Sequence, residues 1–265
     1  MLFSLAIIVS KAQEVNLFAD AKPQNQGYIL YASNNEICPV SISIGLDLSN
    51  LLFSEGQKTV FVIPAKAEKF RIGDLDIVKT GTQIKYSFKY KAVLGDATIK
   101  LYDINYAYDL PFEKGRGCKV DQGYNGSFSH QHENAIDFNM PEGTPIVAAR
   151  EGLVVKVVQQ NTESCPRQEC IKYANYVRIY HADGTFAEYA HIKYNGSSVK
   201  VGDTVKKGDV IAFSGKTGWT TGPHLHFICF LPDFATRNSL ETKFRVNDGK
   251  RIGFLIEQDT YVKLY

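Results

Sequence analysis

Apolar and polar positions alternate with period two along most of the chain, the pattern of half-buried β-strands. In V-S-I-S-I-G-L-D-L, the residues Val40, Ile42, Ile44, Leu46 and Leu48 share one face. In I-K-Y-S-F-K-Y-K, the residues Ile84, Tyr86, Phe88 and Tyr90 face one way, and Lys85, Ser87, Lys89 and Lys91 the other. Gly- and Asn-rich turns separate such runs, and no long helical pattern interrupts them. The alternation predicts an all-β fold. Residues 14–108 read as an N-terminal β-sandwich-like domain of antiparallel strands, one sheet face buried and one wet. From Asp109 to Gly126 the texture turns Gly-rich and charged, which predicts a linker at 109–126. Strand-like runs then resume, among them G-L-V-V-K-V-V, Y-V-R-I-Y, T-F-A-E-Y-A-H-I and H-L-H-F-I-C-F. Turns fall at Glu142-Gly143, Asp183-Gly184, Gly202-Asp203 and Gly208-Asp209. This predicts a compact C-terminal domain of folded-over antiparallel β-sheet at 127–240. Residues 241–265 keep strand character and are expected as a C-terminal β extension.

Composition changes this picture little. The chain has 265 residues, 44% hydrophobic and 22% charged, as expected of a globular protein able to bury a substantial core. A formal net charge of +2 and the lack of a basic run give no reason to expect a nucleic-acid partner. Leu2 to Ser10 is an apolar run too short to span a bilayer. With Lys11-Ala12-Gln13 after it, the run resembles the core and cleavage region of a secretory signal, without the positive start. Residues 1–13 are therefore expected as a signal segment and the protein as exported, to periplasm, cell envelope or exterior. No other segment is long and apolar enough for a transmembrane helix. Of the five cysteines, Cys165 and Cys170 bracket the polar loop C-P-R-Q-E-C. A disulfide there suits export; a metal clip would need a second pair with matching spacing. Cys38 and Cys229 lie in apolar runs and are expected as buried thiols.

Candidate chemistry centres on T-G-P-H-L-H-F, residues 221–227. Residues two apart in a strand point to the same face, so Leu225 faces the core and His224 and His226 project together. Taken alone, the pair reads better as two surface histidines than as a metal site. Other residues add to it: His191 ends F-A-E-Y-A-H, and His130 and His132 lie shortly before Asp137 in S-H-Q-H-E-N-A-I-D-F. His181 precedes A-D-G and reads as a turn residue. A catalytic zinc site takes three His or carboxylate ligands and keeps one position open. One upstream His, Asp137 and His226 supply that set. His191 and His224 are left over, and hydrolysis needs such unligated groups, one as base and one as transition-state donor.

From about Gln122 to Phe230 the chain resembles the lysostaphin-like zinc endopeptidases that cut peptidoglycan cross-bridges. The matching stretches are A-I-D-F-N-M-P-E-G-T-P-I-V-A-A-R-E-G-L-V, N-Y-V-R-I-Y-H-A-D-G-T-F-A-E-Y-A-H-I and V-K-V-G-D-T-V-K-K-G-D-V-I-A-F-S-G-K-T-G-W-T-T-G-P-H-L-H-F, in that order. The resemblance covers under half of the chain and leaves out the N-terminal domain. It implies a zinc peptidase domain with one Zn2+ per chain, acting on the peptides of bacterial peptidoglycan. It implies Asp137 and His226 as zinc ligands, His224 as the group handling the attacking water's proton, His191 as the group stabilising the tetrahedral species, and Asn175 as supporting structure. The family's usual ligand His lies four residues before the Asp, where this chain has Glu133. His130 takes that role by the family's longer-insertion variants, His132 is the alternative, and Glu133 stands third. An ideal strand puts neither His130 nor His132 on the face of Asp137, so a bulge or loop must bring one round. Trp219 and Thr220-Thr221 read equally as cleft residues and as a plain turn.

Two other readings compete. The same fold serves as a non-catalytic cell-wall scaffold or hydrolase activator, but relatives of that kind lose ligands that are retained here. The stretch V-K-V-G-D-T-V-K-K-G-D-V-I-A also resembles a lipoyl- or biotin-carrier turn, in which the histidines have no role.

Overall fold

The computed structural model describes residues 15–265, and the expected signal segment lies outside them. The chain divides into two compact units, one reaching Thr98 and including Pro232–Thr236, the other comprising Ile99–Leu231 and Arg237–Tyr265. The fold is nearly all β, as the alternation predicts.

The first unit contains two antiparallel sheets. One orders Val15–Ala21, Gly27–Asn34, Phe70–Ile77 and Leu51–Phe53; the other orders Val60–Ile63, Val40–Ser49 and Lys85–Leu94. Leu17, Leu30 and Leu75 from the first share a core with Val40, Ile42 and Ile63 from the second. Lys85, Ser87, Lys89 and Lys91 are exposed, while Tyr86, Phe88 and Tyr90 pack on that core. The lysines line an edge strand, where charge discourages pairing with another chain.

The second unit is built on an antiparallel sheet whose order is Thr204–Val205, Gly152–Val158, Tyr176–Tyr180, Phe186–Ala190, His224–Leu231, Ala135–Asn139, Gly117–Gln122 and Thr260–Val262. A smaller sheet of Pro145–Val147, Val210–Ser214 and Ile192–Ser197 belongs to the same unit. Phe138, Tyr189, Leu225 and Phe227 are buried together in its core; each such side chain contributes about 1.5–3 kcal/mol on leaving water.

Residues 109–126 differ from the linker reading. Gly117–Gln122 is a strand of the main sheet, with Cys118, Val120 and Gln122 turned inward. Its charges, Lys119 and Asp121, occupy the less buried alternate positions. A strand with one wet face and Gly at its edge has the composition of a linker. Residues 99–108 also belong to the second unit, where Ala107–Tyr108 pairs in parallel with Lys243–Val246. The tail is likewise integral, since Thr260–Val262 pairs with Gly117–Gln122. Cys165 and Cys170 are disulfide-bonded, and Cys38, Cys118 and Cys229 are buried thiols outside that bridge.

His181 heads a turn, accepting from Gly184 N at 3.0 Å, yet it is fully buried. Its Nδ1–H donates to the Glu151 carbonyl at 2.7 Å, and Nε2 has no partner. Burial, reinforced by the Arg150 charge, pushes its pKa down to about 4. The unfolded chain binds this proton near pH 6.5, so stability is present above that value and is lost as pH falls toward 4. Thermal unfolding across this window is expected to show the loss, and His181→Gln, unable to protonate, to flatten it.

Candidate metal centre

The register of two central strands places the first two site residues together. Ala135–Asn139 pairs antiparallel with His224–Leu231 so that Asp137 stands opposite His226, and Asn139 opposite His224. Alternation sends Leu225, Phe227 and Phe138 into the core and leaves Asp137, His224 and His226 on the other face. His226 Nδ1 lies 3.0 Å from Asp137 Oδ1, and His224 Nε2 lies 3.7 Å from the same oxygen.

The third residue arrives from a loop. The strand begins at Ala135, so residues 123–134 are free of its parity. His130 is buried, with Nε2 3.2 Å from Asp137 Oδ1 and 3.2 Å from His226 Nδ1. Its Nδ1–H donates to Gly123 O at 3.0 Å, which leaves Nε2 as a lone pair facing the cluster. His132 is exposed, with left-handed φ of 63°, in a turn where Glu133 N donates to His130 O at 2.9 Å. Glu133 accepts from Arg237 at 3.2 Å. The structure therefore brings His130 to Asp137 and His226 and directs His132 and Glu133 elsewhere.

His191 and His224 complete the cluster. Ala190 pairs with His226, so a strand continued through residue 191 would point it at the core. Instead His191 takes a left-handed φ of 63°, and its ring lies 4.5 Å from that of His224 and 5.8 Å from that of His226. Its Nδ1–H donates to Thr217 O at 2.7 Å. His224 Nδ1–H donates to Gly222 O at 3.0 Å and lies 3.1 Å from Thr220 Oγ1. Both rings thus keep Nε2 available. Burial, then the His224 and His226 charges, push the His191 pKa down to about 3, so this ring is neutral at rest. Burial works against ionisation of Asp137, but His226, and His130 when its Nε2 also carries a proton, hold its carboxyl well below the usual range. Burial likewise pulls His130 down, and Asp137 outweighs it, for a net raised pKa.

Asn175 is buried, and its carbonyl accepts from Ile192 N, next to His191, at 3.3 Å. It exchanges hydrogen bonds with the Asn161 backbone (2.9 and 3.0 Å), and its N–H donates to Thr217 Oγ1 at 3.0 Å. Several participants escaped the sequence reading. Gln122 Nε2 donates to Asp137 Oδ2 at 3.2 Å, and its Oε1 accepts from Phe128 N and Ser129 N, fixing the loop that carries His130. Glu188, on the Asp137 face of the sheet, accepts from Arg178 Nε at 2.9 Å and Arg237 at 2.8 Å. A carboxylate inside the apolar strand F-A-E-Y-A was the available signal for Glu188; nothing in the linker-like texture marked Gln122.

His130 Nε2, Asp137 Oδ1 and His226 Nδ1 converge within 3.0–3.2 Å of one another. Ligands bound at about 2.0–2.1 Å in a tetrahedron stand about 3.3 Å apart, so this His/Asp/His set fits a zinc ion in spacing and in donor type. The fold and this donor set define a class. Residues 131–231 match peptidase family M23, and the chain carries a lysostaphin-like M23 peptidase domain. Its relatives include lysostaphin of Staphylococcus staphylolyticus, 37% identical over 119 residues, covering 44% of this chain and 22% of that protein. They also include peptidoglycan DD-endopeptidase ShyC of Vibrio cholerae, 29% identical, covering 77% of this chain and 46% of that protein. The chain spans about a fifth of the length of the first curated relatives it matches, 22% for an uncharacterised metalloprotease of Buchnera aphidicola. Among solved structures, the catalytic domain of lysostaphin from Staphylococcus simulans is 29% identical, with a TM-score of 0.35 over 47% of this chain and 87% of that one.

Proposed function

We propose that this protein is an exported zinc endopeptidase that hydrolyses peptide cross-links of bacterial peptidoglycan. The observation that carries the reading is the convergence of His130, Asp137 and His226, with His191 and His224 beside them and outside the donor set. The M23 match and the peptidoglycan hydrolases among the relatives support the substrate class. The Cys165–Cys170 bridge supports an oxidising compartment. No helix among the described residues is long and apolar enough to cross a membrane.

One zinc ion held by His130, Asp137 and His226 would polarise the scissile carbonyl and acidify water at the remaining position. The chain's own groups then handle protons. His224, with Nδ1–H committed to Gly222 O, accepts the attacking water's proton on Nε2 and returns it to the leaving amine. His191, with Nδ1–H committed to Thr217 O, can donate from Nε2 only once protonated, a form that growing negative charge on the carbonyl oxygen favours.

The test is zinc content together with release of new amines from purified peptidoglycan. Wild type is expected to hold one zinc ion and to release amines. His130→Ala is expected to lose zinc, weakening binding by more than about a hundredfold, since even outer partners of a ligand carry 10–100-fold. His132→Ala is expected to behave as wild type. Zinc without amine release in wild type would instead favour the non-catalytic scaffold.

A further inference from the structure

The two histidines outside the donor set are held through the same short strand. Gly218–Trp219 lies between Thr217, whose carbonyl accepts from His191, and Thr220, whose hydroxyl meets His224 Nδ1 at 3.1 Å. The strand's only ladder partner among the described residues is Ser164–Cys165, paired in parallel as Ser164 with Gly218 and Cys165 with Trp219. Gly218 N donates to Glu163 O at 2.8 Å, and Thr220 N to Cys165 O at 3.1 Å. Gly218 sits at φ +87° with Ala174 behind it, so close that an added Cβ would lie 2.7 Å from the Ala174 backbone. The strand is thus pressed between the two ends of one loop. That loop is closed at its base by Asn161 and Asn175 and cross-linked by Cys165–Cys170.

We propose that the Cys165–Cys170 loop is a positioning element for the reaction: its closed form fixes Gly218–Trp219, and through it the orientation of both His191 and His224. The argument is geometric. A two-residue ladder is too short to hold itself, and a six-residue segment closed by a covalent bond has few conformations to lose on pairing with it. No proposed zinc ligand lies in the loop: His130 Nδ1–H is held by Gly123 O, and Asp137 and His226 stand opposite each other in the main sheet. Opening the bridge therefore acts on proton handling and leaves metal binding intact. The catalytic consequence rests on the endopeptidase reading above; the orientation of the rings does not.

The test uses the full chain in two opened forms, the Cys165→Ser/Cys170→Ser double variant and wild type treated with a phosphine reductant, with bridge status read by mass. The remaining thiols, Cys38, Cys118 and Cys229, are buried, so reduction and reoxidation of the folded protein report on this bridge. Imidazole 15N spectra are expected to show His191 and His224 locked as Nδ1–H in the closed form and tautomer-averaged in both opened forms. With a cross-link peptide as substrate, kcat is expected to fall about ten- to a hundredfold. KM is expected to stay within about twofold, zinc content to be unchanged, and reoxidation to restore the rate. Unaltered imidazole signals in a folded, opened protein overturn the proposal whatever the activity. In an active wild type, so does a kcat within about twofold of the closed form. A wild type that cleaves no cross-link defeats the endopeptidase reading instead, and the spectra still decide the proposal.

Discussion

His226→Ala is expected to lose zinc and hydrolysis together. His226 Nδ1 meets both Asp137 Oδ1 at 3.0 Å and His130 Nε2 at 3.2 Å, so its removal leaves two donors where a catalytic site needs three. Amine release from peptidoglycan is expected to fall by at least about a thousandfold, beyond the loss from deleting a single oxyanion donor. His224→Ala provides the contrast. Its Nε2 lies 3.7 Å from Asp137 Oδ1 and its ring is outside the converging set, so zinc is expected to remain while the rate falls about a hundred- to ten-thousandfold. Metal analysis beside the rate assay separates the two residues. Zinc retained at full occupancy in His226→Ala would sink the assignment.

The largest effect on stability is expected from Glu188. Its carboxylate is buried and accepts from Arg178 and from Arg237, which also binds Glu133 in the loop carrying His130. Burial alone would raise its pKa; the two guanidiniums outweigh it and pull the value to about 2. The unfolded-state value is near 4.5, so the carboxylate contributes about 3 kcal/mol above that pH, lost as pH falls toward 2. Glu188→Gln removes the carboxylate that both arginines share, while Arg237 keeps Glu133; with the guanidiniums partly exposed, the cost is expected at the low end of the range for buried pairs, about 3 kcal/mol. Urea unfolding at pH 7 is expected to show that loss, with the gap between variant and wild type narrowing below pH 4.5. A constant gap down to pH 2 would mean that packing, not charge, sets the effect.

Much of this was legible in the chain because the signals are local. Period-two alternation gave the all-β class, and it gave the shared face of His224 and His226 with Leu225 buried behind them. The residue types around Asp137 and in H-L-H suggested a metal set, whose members the family resemblance assigned, and the C-P-R-Q-E-C loop suggested the bridge that the structure contains. Where a segment's composition mimicked another class, the reading slipped. Gly117–Gln122 carries charges on its outer positions and looked like a linker, although its inward residues build the main sheet.

The sequence by itself determined which residue types were available and which faces of each strand they occupy, because side-chain direction follows from backbone period alone. Tertiary structure decided which distant positions meet. The register that sets Asp137 against His226, the loop turn that brings His130 in and sends His132 out, and the left-handed φ that swings His191 off the core face are all products of long-range pairing. Those choices depend on hydrogen bonds that His130 donates to Gly123 O, Gln122 to Asp137 and His191 to Thr217 O, between residues in different elements, and no strand period encodes them.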